Sequence, residues 1–132
     1  MTVRAEGTFT VASWDEQTYQ DLDGKSKLTR AKVGYRLSGD IEGEAAWEAL
    51  MFYGADGTAE FTGLQHVSAQ IAGRSGTCVM VADGTFADGV ASSNWRVIPG
   101  SGTEGLAGLR GSGTSAAAST PPGTFTFDYE LD

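Results

Sequence analysis

Apolar and polar side chains alternate with a period of two over most of the chain, and no helical stripe exceeds two turns. The apolar positions carry odd numbers in each alternating segment, as in Lys27–Leu37, Ile41–Tyr53 and Phe125–Leu131. A polar stretch, Asp15–Ser26, separates an earlier alternating segment, Thr2–Ala12, from Lys27–Leu37. Such alternation is typical of strands with one buried face, so the pattern predicts seven or eight short antiparallel strands.

The segments between the predicted strands carry turn residues. Ala55-Asp56-Gly57 and Ala87-Asp88-Gly89 each predict a three-residue hairpin loop, in which a type I turn precedes a left-handed glycine, and residues 73–76 predict a third hairpin. The glycine-rich run 100–113 predicts an irregular loop anchored by Leu106 and Leu109. Short strands separated by turns of this kind predict one all-β domain over residues 1–132. Closure of the sheet into a barrel would remove its exposed edge strands.

Charge and composition exclude several classes of partner. Nine basic residues against 17 acidic ones give a formal charge of −8, which would repel phosphate backbones and anionic lipid. We therefore expect no nucleic-acid partner and no membrane association. The N-terminus lacks an apolar signal core, and a cytoplasmic location is expected.

Cofactor and metal sites find little support in the sequence. Cys78 is the only cysteine and His66 the only histidine, so a metal-ligand set is not expected. The run from Gly100 to Gly105 formally reads G-x-G-x-x-G, but it does not open a helix within a βαβ unit. No metal and no cofactor are therefore predicted.

Several strings in the chain resemble a bacterial family of unknown function, numbered 3224, over roughly residues 3–132. They are YRLSGDIEGE (35–44), YGADGTAEFTGL (53–64), GRSGT (73–77), GTFADGV (84–90), VIPGSGTEGLAGLRGSG (97–113) and TFDYELD (126–132). The resemblance implies an eight-stranded antiparallel calycin-like barrel, similar to that of allene oxide cyclase. It implies no agreed reaction. Departures from the family pattern at Gln65-His66 and Val81-Ala82-Asp83 indicate a divergent or a remodelled pocket.

Alternate residues of a barrel strand face the lumen, so the side chains that line it depend on the parity of the strand, that is, on whether odd-numbered or even-numbered positions face inward. A shift of one residue in the register exchanges the inward and outward faces of the whole strand. If odd positions face inward throughout, the wall of the lumen is largely apolar and aromatic. Gln65 and Asp83 then project into it. The predicted substrate-binding residues are Tyr35, Trp47, Met51, Tyr53, Phe61, Gln65, Val81, Trp95 and Tyr129.

The same parity leaves a second apolar surface outside the barrel. The outward-facing residues are Leu50, Phe52, Leu64, Met80 and Phe86. Such a patch on a small barrel is typical of a subunit interface, so a homo-oligomer is predicted.

Asp83 is the main candidate for catalysis under this parity. Desolvation raises the pKa of a carboxylate in a dry aromatic pocket, which suits a general base near neutral pH. Trp47 and Trp95 could then hold a flat substrate between them, and Gln65 could donate a hydrogen bond to developing negative charge. The alternative is that Asp83 lies at the rim and caps the turn that begins at Gly84.

His66 is a second catalytic candidate. If residues 73–76 form a plain two-residue turn, His66 lies opposite Asp83 and the pair makes a base dyad, in which the carboxylate fixes the imidazole tautomer. The parity of the other strands argues instead for a surface histidine.

Three functions follow from these alternatives. The first is a cofactor-free enzyme, natural or engineered, that abstracts a proton from a small apolar or aromatic substrate, as in an isomerase, a cyclase or a lyase of the eliminase type. The second is a non-catalytic protein that binds a hydrophobic ligand. The third is a structural module with a packed lumen, because eight strands enclose an interior that side chains alone can fill.

Overall fold

The computed structural model describes residues 2–118 and 120–131 as a closed antiparallel barrel in which each strand pairs with its neighbours in the chain and the last pairs with the first. The strands are β1 (Val3–Asp21), β2 (Lys27–Gly39), β3 (Ile41–Tyr53), β4 (Ala59–Ile71), β5 (Arg74–Ala87), β6 (Val90–Val97), β7 (Arg110–Ala117) and β8 (Gly123–Glu130). Two 3-10 turns, Asp23–Lys25 and Glu104–Leu106, accompany them, and no helix in the described ranges is long and apolar enough to cross a membrane. The predicted eight-stranded all-β barrel is confirmed.

Odd-numbered side chains fill the interior along most strands, as predicted. In β3 the buried positions are Ile41, Ala45, Trp47, Ala49 and Met51, and the same parity holds in β2, β4 and β8. The predicted odd-to-odd pairing of Met51 with Phe61 is also confirmed. The alternation in the sequence therefore located the inner face of these strands correctly.

Strand β5 is the exception, because a two-residue turn precedes it and another follows it. Ile71 pairs with Arg74, and Ala87 pairs with Val90. Ala72, Gly73, Asp88 and Gly89 all have positive φ, between 52° and 79°, as a type I′ turn requires at both central residues. The predicted three-residue loop at residues 87–89 is therefore wrong. A two-residue loop pairs an odd position with an even one, so each turn inverts the parity of the chain.

This inversion changes which residues of β5 enter the barrel. Cys78, Met80 and Ala82 are buried inside, whereas Asp83 is exposed and Val81 faces outward. Trp95 pairs with Ala82 and not with Val81. The predictions that Asp83 and Val81 face the lumen, and that Met80 faces outward, are wrong for this reason.

His66 lies on the outer surface of β4, where it is exposed and pairs with Val79. Asp83 pairs with Thr62, which lies four residues from His66 on β4. At about 3.3 Å per residue the two positions are roughly 13 Å apart, too far for a hydrogen bond. The predicted dyad of His66 and Asp83 does not form.

A bulge in β1 inverts parity a third time. Val11 pairs with Tyr35 and Ser13 with Gly34, which leaves Ala12 as the extra residue. Beyond it Trp14 pairs with Val33 and lies on the inward side of the strand. Residues 15–21, predicted as part of a polar separator, therefore continue β1 and bring Glu16 and Thr18 to the inward side at the barrel mouth. A second bulge, between Thr18 and Gln20, reverses the orientation again for the end of the strand.

The loop 98–109 closes one end of the barrel. Leu106 and Leu109 are fully buried in the core, as their predicted role as anchors requires. The Thr103 amide donates to the Thr77 carbonyl at 2.9 Å, and the Ser101 hydroxyl receives a hydrogen bond from the Val79 amide at 3.0 Å. These contacts fasten the loop to β5, and we call it the plug.

Candidate functional site

The opposite end of the barrel holds a cavity of about 130 Å³ that opens past exposed Val11 and Trp14. Its wall consists of Phe9, Val11, Trp14, Tyr35, Trp47, Met51, Phe61, Gln65, Ala82, Ala91, Ser93, Trp95, Ser115 and Ala117. Six of the nine predicted substrate-binding residues lie in this wall: Tyr35, Trp47, Met51, Phe61, Gln65 and Trp95. The remaining three are Tyr53, which lies beside the mouth, Tyr129, which is buried next to Phe127, and Val81, which is outside.

Aromatic rings form most of the cavity wall and contact one another. The Trp47 ring meets Phe61 edge to face at 5.3 Å between centroids, and Phe9 meets Tyr35 in the same way at 5.4 Å. The Trp95 ring stacks on Phe125, which is buried. Because each ring packs against a neighbour, the wall is held in place by its own contacts.

The two indole N–H groups already have partners. Trp47 Nε1 donates to the Ala82 carbonyl at 3.2 Å, and Trp95 Nε1 donates to the Ser93 hydroxyl at 3.0 Å. Ser93 in turn shares a hydrogen bond with the Ser115 hydroxyl. The rings therefore present apolar faces to the cavity, while their polar edges are satisfied within the wall.

Two titratable groups in or near the wall stay neutral over the physiological range. Burial raises the pKa of the Tyr35 phenol to about 12 and that of the Cys78 thiol to about 11. Neither group is a ready proton acceptor near pH 7.

Gln65 carries the one buried side-chain nitrogen or oxygen in residues 2–118 and 120–131 that has no hydrogen-bond partner. The residue is 1% exposed, and its Nε2 is the orphan atom. An amide donor left unpaired in this way costs about 1–3 kcal/mol relative to a paired one. An acceptor placed in the cavity would relieve that cost.

Glu16 forms a polar network beside the mouth. Its Oε2 accepts hydrogen bonds from Thr29 Oγ1 and Tyr53 OH, each at 2.6 Å, and its Oε1 accepts one from Trp14 Nε1 at 3.0 Å. Tyr53 OH also lies 3.5 Å from Met51 Sδ in the cavity wall. Glu16 is therefore attached to the wall from two sides, through Trp14 and through Tyr53.

The carboxyl group of Glu16 is ionised at neutral pH. Desolvation raises its pKa, but hydrogen bonds from Thr29, Tyr53 and Trp14 outweigh this effect, and the pKa lies below its usual value. Burial and the hydrogen bond to Glu16 raise the pKa of Tyr53, which stays a proton donor. The carboxylate at the site is thus Glu16, and not Asp83 as the sequence predicted.

Sequence reasoning missed Glu16 because its inward orientation depends on the bulge at Ala12. The chain shows no glycine or proline there, only a break in the alternation between Val11 and Trp14. That break was the available signal. Within the described part of the chain, no group of three or more His, Cys, Asp or Glu side chains is arranged to hold a metal ion.

Comparison with known structures reveals a similar barrel. A protein of unknown function from the DUF3224 family of Shewanella oneidensis MR-1 superposes with a TM-score of 0.85, at 23% sequence identity, over 100% of this chain and 98% of the other. At that identity the likeness shows the fold. No curated protein matches the chain.

The family itself is shown by the sequence. A family described as "Protein of unknown function (DUF3224)" matches residues 5–129, nearly the whole of the barrel from β1 to β8. The resemblance expected from the strings in the sequence is confirmed: this chain belongs to the DUF3224 family.

Proposed function

We propose that this protein binds a small, largely aromatic molecule in the open end of its barrel, and that a hydrogen-bond acceptor on the molecule pairs with Gln65. The observation that carries the proposal is the unpartnered Nε2 of Gln65 in the wall of an otherwise apolar cavity. Ligand sites typically combine such a wall with a few placed polar groups.

The size of the cavity supports a ligand built on one aromatic ring. An engineered apolar cavity of about 150 Å³ in another protein binds benzene, and the volume here is about 130 Å³. The mouth beside Trp14 leaves room for a substituent that points toward solvent.

Binding is favoured over the predicted proton abstraction because both predicted catalytic residues, Asp83 and His66, lie on the outside. Glu16 accepts three hydrogen bonds and has a lowered pKa, which makes it a weak base. Turnover as an isomerase, cyclase or lyase stays a prediction without an assigned base.

Two matched probes test the proposal. Acetophenone carries a carbonyl oxygen, and α-methylstyrene has nearly the same shape with a methylene group in its place. We expect acetophenone to quench Trp47 and Trp95 fluorescence and to bind about tenfold more tightly, the equivalent of one net hydrogen bond. In the Gln65→Met variant, which keeps the length of the side chain and removes the donor, that preference should vanish.

Two results would contradict the proposal. If neither probe binds, the lumen is a packed structural core. If both bind wild type equally well, Gln65 is satisfied by other means, such as a trapped water, and does not select the ligand.

Two further predictions concern the whole molecule. Leu50, Phe52 and Leu64 are exposed on the outer face, where a groove of about 660 Å³ runs between Tyr19 and Leu64. Association into a homo-oligomer through this face stays a prediction, to be checked by light scattering of wild type and Leu64→Glu. The cytoplasmic location also stays a prediction.

A further inference from the structure

We propose that Glu16 is a second contact for the ligand, so that the site prefers a para-substituted ring with an acceptor at its inner end and a cationic group at its outer end. This inference rests on the proposed binding function and specifies its ligand class. It draws on the orphan amide of Gln65 in the cavity wall and on the Glu16 carboxylate beside the mouth.

The two groups lie at different depths. Glu16 pairs with Ala31, and Ala31 with Ala49, which is two residues nearer the mouth than Trp47, the partner of Gln65. At about 3.3 Å per residue the two backbone levels differ by roughly 7 Å along the strand. The Glu16 carboxylate extends further toward the mouth, where it contacts Thr29 and Tyr53. A ring with substituents at opposite ends can address both groups, whereas neighbouring substituents cannot.

The carboxylate keeps one acceptor position open. A carboxylate has about four lone-pair sites, and Glu16 uses two on Oε2, for Thr29 and Tyr53, and one on Oε1, for Trp14. The remaining site is on Oε1, the oxygen bound to the Trp14 indole that lines the mouth. A ligand ammonium group would complete the set with a charge-assisted hydrogen bond.

Two other charged side chains, Lys27 and Asp15, lie near Glu16. The Lys27 ammonium lies 5.2 Å from the centroid of the Tyr53 ring and lowers the pKa of Glu16. Lys27 is exposed, so solvent and salt screen its charge more than they screen the charge of half-buried Glu16. Asp15 is exposed and points to the opposite face of β1, beside Lys32.

Three probes of one shape test the preference: 4-(aminomethyl)acetophenone as the cation, acetophenone as the neutral ring and 4-acetylbenzoate as the anion. We expect wild type to bind the cation at least tenfold more tightly than the anion at low salt, with the neutral ring between them. Glu16→Gln should reduce that ratio to less than about threefold. Asp15→Asn removes one negative charge from the adjacent position on the outer face and should leave the ratio unchanged.

A spectroscopic readout covers the case in which Glu16→Gln folds poorly. In wild type the Trp14 indole N–H resonance should shift further when the cation binds than when acetophenone binds, because only the cation reaches Oε1. The inference is overturned if the cation shifts the Trp14 resonance no further than acetophenone does, or if Asp15→Asn lowers the cation-to-anion ratio as much as Glu16→Gln. If acetophenone itself fails to bind, the proposed function fails. If it binds without charge preference, only the role of Glu16 is lost.

Discussion

The two ends of the barrel are built from the same strands but differ in how tightly they are packed. At the closed end, Leu106 and Leu109 of the plug are buried with Ile41 and Ile71, and backbone hydrogen bonds fasten the loop to β5. At the open end, Val11 and Trp14 are about half exposed, the largely apolar cavity holds the unpaired amide of Gln65, and the Glu16 carboxylate lies beside its mouth. We therefore expect most of the stability to come from the closed end, so that the open end can hold an unpaired amide and a charged group without unfolding the barrel.

The largest expected effect comes from removing the side chain that closes the plugged end. Leu106→Ala should lower the free energy of unfolding by about 2–5 kcal/mol, because it opens a cavity among fully buried neighbours. Leu22→Ala makes the same change at the open end, where the residue is 38% exposed, and should cost less than about 1 kcal/mol. Urea-induced unfolding measures both. Equal losses would show that the two ends contribute alike.

A second effect concerns the thiol of Cys78, which is buried on the inner face of β5 near the plug. Burial raises its pKa to about 11, so at pH 8 the thiolate fraction alone should slow alkylation by iodoacetamide about 100-fold relative to free cysteine. Mass spectrometry follows the reaction, with the protein in denaturing urea as the fully reactive control. A native rate close to that of free cysteine would mean that the closed end opens readily.

The smallest effect is expected in the network at the open end. The lowered pKa of Glu16 stabilises the fold above its unfolded-state pKa, and this stabilisation is lost as pH falls through the folded-state value. Tyr53→Phe removes one donor, so acid unfolding should begin at a higher pH, with a loss below about 1 kcal/mol at pH 7. Tyr19→Phe, which changes an exposed tyrosine on the outer surface, is the matched control.

Circular dichroism against pH compares the two tyrosine variants with wild type. The interpretation of the network would be contradicted if Tyr19→Phe shifts the acid midpoint as far as Tyr53→Phe does.

The sequence predicted the barrel and much of its inner wall, because alternation reports directly on a strand with one buried face. Trp47, Phe61 and Gln65 were placed correctly for this reason. Asp83 was misplaced because its orientation depends on the length of the turn before β5. That turn begins with Ala72 in the left-handed region, and alanine is not a common residue at such a position.

Asp88-Gly89 did carry such a signature, since Asp-Gly is a strong indication of a two-residue turn. The inward orientation of Glu16 depends on one extra residue in β1, Ala12. The closure of the barrel favours this bulge, and the local residue preferences do not predict it. Errors of a single residue in turns and bulges therefore decided which carboxylate was assigned to the site.

The two short turns around β5 have a consequence for how such proteins can diversify. Each inverts parity, and together they cancel, so β6 resumes the pattern of β4. Lengthening both turns by one residue would rotate β5 alone and exchange Met80 and Ala82 for Val81 and Asp83 in the interior. Paired insertions in two surface hairpins would thus install an acidic group in the lumen without substituting any interior residue, a route by which a binding barrel could acquire a base.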